Sequence, residues 1–220
     1  MVKSIGVASK ADLVALLTPF DRELAPTRIK KLEQYPTPTE LAAHLVWISY
    51  LKGDVKDKTV ADFGCGDGRL AIAALLAGSS RAICIEIDEK MIKHAQNIIG
   101  KYYGFIQSRI LYVVADARDI YLNNVDTVIM NPPFGVARET RGMDVQFLKS
   151  ALRNAKSVYS IHKYSEGLLR IVHEIADACK RRISWFEVLN LDIPMMYERH
   201  RRKTYKVKAL AVALTLGGEA

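Results

Sequence analysis

"KTVADFGCGDGRLAIAALLAG", residues 58 to 78, is the stretch whose reading decides the fold. Val60, Ala61 and Phe63 make a short apolar run of strand type, and it stops at three glycines two apart, Gly64, Gly66 and Gly68. An apolar segment of helix length follows and is closed by Gly78. The glycines let the backbone turn sharply and approach a ligand closely, just ahead of a helix N-terminus. "RAICIEID", residues 81 to 88, then reads as a second strand, which completes a βαβ unit.

The same alternation continues on both sides of the next turns. "EKMIKHAQNIIGKYYG" reads as a helix, and "RILYVVAD" and "VDTVIM" as strands. "MDVQFLKSALRNA" reads as a helix, "SVYSIH" as a strand and "SEGLLRIVHEIADACK" as a helix. "ISWFEVLNLDIP" and "YKVKALAVALTL" close the chain as strands joined by a basic loop. Apolar strands alternating with helices predict an α/β fold with a mainly parallel sheet covered on both faces. The last two strands have no helix between them, so they should pair antiparallel at an edge. Residues 1–57 read as a helical extension lying over the sheet and covering the ligand site, and residues 58–220 as one compact domain.

In such sheets ligands bind at the carboxyl ends of the strands. Glu86 ends the second strand 22 residues after Gly64, where a carboxylate accepts hydrogen bonds from ribose hydroxyls. A plainer role beside a helix N-cap is open to it, because Asp88 and Glu89 begin the next helix. Asp116 ends the third strand, where a carboxylate is placed to take an adenine amine. The fourth strand runs into "NPPFG", residues 131 to 135. Pro132 and Pro133 stiffen the exit from the sheet and donate no N–H, so they suffice as a terminator. They do not explain an amide before them, Asn131, and a large aromatic after them, Phe134, at a loop tip where packing is least useful.

The 220 residues carry a formal charge of +8, unevenly spread: residues 180 to 208 hold nine Lys/Arg against Glu187, Asp192 and Glu198. That run reads either as a solvated loop or as a patch for nucleic-acid phosphates. The longest uncharged runs, Leu41 to Leu51 and Leu70 to Ser80, fall short of the ~18 residues that span a membrane. No secretory leader is legible. Cys65, Cys84 and Cys179 are too few and too widely spaced for a zinc site or a disulfide framework, so a cytoplasmic, reduced protein is expected.

The glycine turn, the two strand-end acids and Asn-Pro-Pro-Phe resemble the class I S-adenosylmethionine-dependent methyltransferases. The tetrapeptide resembles the signature of their amino-methylating branch, which acts on exocyclic adenine or cytosine nitrogens or on a glutamine amide. Taken together, "EQYPT", "ADFGCGDG", "EIDE", "NPPFG", "MDVQFLKSAL", "VYSIHK" and "IPMMYERHRRK" resemble the methyltransferase-like protein five family and its archaeal relatives, from about residue 33 to 208. These are adenosine N6-methyltransferases of small-subunit ribosomal RNA. The resemblance implies a Rossmann-like, seven-stranded sheet in the order 3-2-1-4-5-7-6 with helices on both faces.

It places S-adenosylmethionine on Gln34, Thr37, Gly64, Gly66, Asp67, Arg69, Glu86, Asp116 and Ala117, and the target base on Asn131, Pro132, Pro133 and Phe134. Arg69 stands where an apolar residue is usual, though a backbone contact would survive that change, and Glu86 replaces Asp, which still supplies the carboxylate. An aromatic amine has its lone pair delocalised into the ring. The Asn131 side-chain oxygen and the Pro132 carbonyl would accept its two N–H bonds and aim that lone pair at the methyl group, with Phe134 stacked on the extruded base. His162 and Lys163, at a strand end on the ligand side, and Arg199, His200, Arg201, Arg202 and Lys203 in the basic loop are the candidate RNA contacts. No metal is needed, since the sulfonium is already activated. Relatives pair with a small zinc-binding activator protein that covers an apolar sheet edge. The alternatives are a protein-glutamine or DNA-adenine methyltransferase, or a catalytically silent RNA-binding or assembly protein.

Overall fold

A computed structural model describes residues 7–23, 33, 35–135, 138–194 and 204–216. Seven strands form one sheet: β1 (Thr59–Phe63), β2 (Arg81–Glu86), β3 (Ile110–Val114), β4 (Val125–Met130), β5 (Ala155–Lys163), β6 (Arg181–Pro194) and β7 (Thr204–Leu216). Their spatial order is β3-β2-β1-β4-β5-β7-β6. Strands β1 to β5 run parallel, while β7 pairs antiparallel with both β5 and β6. The order reverses beside β1, so the carboxyl ends of β1 and β4 open on the crevice where such sheets bind ligands.

The helices are α1 (Lys10–Arg22), α2 (Thr39–Leu51), α3 (Arg69–Leu76), α4 (Glu89–Tyr102), α5 (Met143–Asn154) and α6 (Glu166–Ala178). Strand side chains alternate between two apolar layers, as a period of two requires. In β7, Ala209, Ala211 and Ala213 face the layer built with α1 to α4. Leu210, Val212 and Leu214 face the layer built with α5 and α6. Ser165 starts α6 by accepting the Leu168 N–H at 3.1 Å, and Asp88 starts α4 by accepting that of Lys90 at 2.9 Å. Among the described residues, no helix is long and apolar enough to cross a membrane.

One expectation fails. Cys65 and Cys84 are paired in a disulfide, with Cα atoms 5.4 Å apart, and Cys179 is left as an exposed free thiol. Their sequence separation of 19 looked too wide for pairing, but it is the length of one crossover. Parallel pairing sets Phe63 beside Ile85, and the N–H groups of Gly64 and Cys65 both donate to the Ile85 carbonyl at 2.9 Å. The glycine turn is thereby tied back onto β2. Closing a loop of this length restricts the unfolded chain by about 3 kcal/mol. Reduction, or Cys84→Ala, should therefore lower unfolding stability by about that amount, as denaturant titration with and without reductant would measure.

Candidate active site

The glycine turn takes its shape from left-handed backbone at Gly64 (φ 72°) and Gly68 (φ 83°). A Cβ on Gly64 would stand 3.2 Å from the Phe147 ring, and one on Gly68 3.3 Å from Ile99. Both positions therefore demand glycine for conformation and for space. Above the turn lies a cleft walled by Thr37, Gly64, Gly66, Asp67, Glu86, Asp116, Ala117, Asn131 and Pro133. The cleft thus gathers nine of the expected site positions.

Glu86 is buried at the floor. One carboxylate oxygen accepts the Gly66 N–H at 3.0 Å and the other the Asp88 N–H at 3.1 Å. Burial raises its pKa, against the opposing pull of the Asp88 and Gly66 amides. Asp116 is gripped by Arg118, whose Nη2 lies 2.5 Å from one oxygen and whose Nε lies 2.9 Å from the other. That hydrogen bonding holds the Asp116 carboxyl below the ordinary carboxylate range. Arg118 also reaches the Gln146 side chain at 3.1 Å, so it braces the rim of the cleft against α5.

At the end of β4, the Asn131 Nδ2 donates to Thr37 Oγ1 at 3.0 Å. Its Oδ1 is buried and has no hydrogen-bond partner among the described residues. A buried carbonyl oxygen without a donor is costly, and this one belongs to a residue that lines the cleft. The conformation thus presents an acceptor at the cleft wall.

Three expectations need correction. Phe134 is no exposed ring at a loop tip: it is 7% exposed and packs edge-on against Tyr35, centroids 5.2 Å apart. Arg69 stands behind the cleft wall, where its guanidinium grips Asp67 instead of facing the cleft. His162 is 0% exposed and cannot touch RNA from there. It is bonded at 2.7 Å to Ser160 Oγ and at 3.3 Å to an Asp144 oxygen. A strand end on the ligand side does not make a side chain face outward when a helix covers it, and α5 brings Asp144 over His162. Lys163 is exposed. Pro132 is buried beneath the loop. Gln34, Arg199, His200, Arg201, Arg202 and Lys203 lie outside the described residues.

Sequence reading missed several residues of the site. Tyr35 lines the cleft with a buried hydroxyl that has no partner among the described residues. Its pKa is raised well above the ordinary value, first by burial and then by the Glu33 and Asp144 charges. Behind the cleft lining, Asp62 inside β1 accepts the Ala71 N–H at 3.0 Å and so ties α3 to the strand below the turn. Its place two residues before Gly64 was the available signal. Met143 and Phe147 on α5 close the far wall, and no local pattern distinguished them from core.

Residues 42–189 match the model of the methyltransferase small domain. The chain is 33% identical over 189 residues to the zebrafish (Danio rerio) rRNA N(6)-adenosine-methyltransferase METTL5, covering 84% of this chain and 88% of that one. It is 32% identical over 187 residues to the uncharacterised MJ0284 protein of Methanocaldococcus jannaschii, covering 80% and 81%. Among solved structures it is similar to PH1948 of Pyrococcus horikoshii, a provisionally assigned RNA methyltransferase, with a TM-score of 0.83, 28% identity and 96% and 98% coverage. These matches run over most of the length: the chain belongs to the small-domain methyltransferases, within the METTL5 family.

Proposed function

We infer that the protein methylates the N6 amine of an adenosine in structured RNA, most specifically small-subunit ribosomal RNA, with S-adenosylmethionine as methyl donor. The observation that carries this reading is the buried, unpartnered Asn131 oxygen at the end of β4. It is an acceptor in need of an N–H.

The cleft suits the cofactor by its own chemistry. The Glu86 carboxylate has acceptor capacity beyond its backbone bonds, which is what ribose hydroxyls require. Ile87, Met91 and Phe147 supply apolar walls for a ring. The Gly64 turn and Thr37 remain for the methionine end, and Asp116 for the adenine amine. When bound, S-adenosylmethionine supplies an electrophilic sulfonium methyl group. Asn131 Oδ1 accepts one hydrogen of the target amine and the Pro132 carbonyl the other, which holds the lone pair toward the methyl. Pro132 and Pro133 keep these acceptors from relaxing. The proton leaves to water.

Phe134 contributes stacking on the extruded base once its contact with Tyr35 opens. Lys163 and the basic run from Arg199 to Lys203 hold RNA phosphates. The helical extension, residues 1–57, covers the cofactor. At the far edge of the sheet, β3 exposes Leu111 and Val114, each 54% accessible, and we place an activator protein there. A cytoplasmic setting follows from the proposed substrate. Incubation with labelled cofactor and candidate RNAs, followed by nucleoside mass spectrometry, should yield N6-methyladenosine. Label in protein glutamine or in DNA instead would overturn the substrate.

A further inference from the structure

Arg69 is the least expected residue of this site and the most heavily bonded. Only 3% of it is exposed. Its Nε lies 3.1 Å from each Asp67 oxygen and its Nη2 2.8 Å from one of them. Its Nη1 donates to the Thr37 carbonyl at 2.5 Å, to Asp21 at 3.1 Å and to Thr39 Oγ1 at 3.3 Å. The Thr39 hydroxyl in turn donates to the same Asp21 oxygen at 2.8 Å. On its other side the guanidinium lies 5.4 Å from the centre of the Phe20 ring. Phe20 and Asp21 belong to α1, which precedes the segment that matches the methyltransferase small domain. Three separate pieces of chain therefore meet on one planar cation: α1, the Thr37–Thr39 segment and the glycine turn.

The link that matters runs through Thr37. Its carbonyl is held by Arg69, and its hydroxyl receives the Asn131 Nδ2. That second bond fixes where the Asn131 amide sits at the cleft wall. With Nδ2 held by Thr37, Oδ1 points to where an amine would sit. Turned over, the amide would set its own N–H groups against those of the substrate, donor against donor. We propose that Arg69 is a positioning residue through which α1 fixes Thr37, and with it the position of the Asn131 amide. On this view α1 is part of the methyl-transfer site and not only a cover for it. The proposal rests on Asn131 as the receiver of the amine. Lysine would not replace Arg69, because a point charge cannot hold a carboxylate side-on and a carbonyl at the same time.

The test uses Asp21→Asn, Arg69→Lys and Thr37→Val in the full chain. Asp21 has a half-exposed side chain, so its variant keeps the fold even if the buried change does not. Two readouts are taken: kcat at saturating cofactor and RNA, and the side-chain amide resonances of Asn131 in labelled, cofactor-free protein. Each variant should lower kcat by about tenfold, the scale of a sub-ångström misplacement of a reacting group. Each should also shift the Asn131 amide pair. Asp21→Asn combined with Thr37→Val should cost no more than Thr37→Val alone, since both act through one amide. Unmoved amide resonances and wild-type kcat, with only a lower melting temperature, would reduce Arg69 to a structural residue and overturn the proposal. If Asn131→Ala retained wild-type turnover, the reading beneath would fail instead, while the amide shifts would still report whether α1 reaches Asn131.

Discussion

Asn131→Ala is expected to lower methyl transfer by about a hundredfold or more, the usual scale for losing a preorganised polar contact to the reacting group. Affinity for S-adenosylmethionine should stay nearly unchanged. The two effects separate because most groups proposed for the cofactor lie at the ends of β1, β2 and β3, whereas Asn131 follows β4. The alanine would also remove a buried oxygen that has no partner among the described residues. Loss of the Asn131–Thr37 hydrogen bond offsets that gain, so the stability of the variant should stay close to that of wild type and the two can be compared at the same temperature. Single-turnover rates alongside calorimetric binding would measure both quantities. Wild-type turnover in this variant would refute the proposed role of the loop.

Glu86→Ala should have the opposite signature, with cofactor affinity reduced by about ten- to a hundredfold. Hydrogen bonds to a charged acceptor contribute about 1.5–3 kcal/mol, and each 1.4 kcal/mol is a factor of ten. The wild-type protein should also show a pH dependence of binding that follows from burial. Glu86 has its pKa raised by desolvation, so folding favours the protonated form. Its contribution to stability is full below the unfolded-chain pKa and is lost as pH rises through the folded one. Cofactor binding runs the other way, because hydroxyl donors prefer the carboxylate. Affinity should fall as pH drops through the raised pKa, starting above the range in which an exposed glutamate takes up its proton. Calorimetry across that range checks both points, and a flat profile matched by wild-type affinity in Glu86→Ala would remove Glu86 from the site.

Much of this was legible because it depends on local pattern. Strand and helix differ in apolar period, and turns declare themselves through glycine and proline, so the order of elements could be read directly. Parallel sheets with crossovers admit few topologies, and a ligand site then has only one end to occupy. Glu86, Asp116 and Asn131 follow from that rule, because each ends a strand whose direction the alternation fixes.

Tertiary structure decided what each side chain meets. Whether Cys65 and Cys84 touch depends on β1 lying beside β2, which a spacing of 19 residues conceals. His162 and Lys163 are neighbours at one strand end, yet α5 buries the first and leaves the second in solvent. Phe134 is covered by Tyr35, a residue 99 positions earlier in the chain. Arg69 stands at an expected cofactor position where an apolar residue is usual, and it is the buried meeting point of α1, Thr37 and Asp67. The amino-acid sequence by itself determined the fold class, the end of the sheet that binds and the chemical types at its strand ends, since period, turn residues and chain direction are properties of neighbours in sequence. Burial, pairing and the position of the Asn131 amide came only from the tertiary structure, because each is set by contacts between residues far apart in the chain.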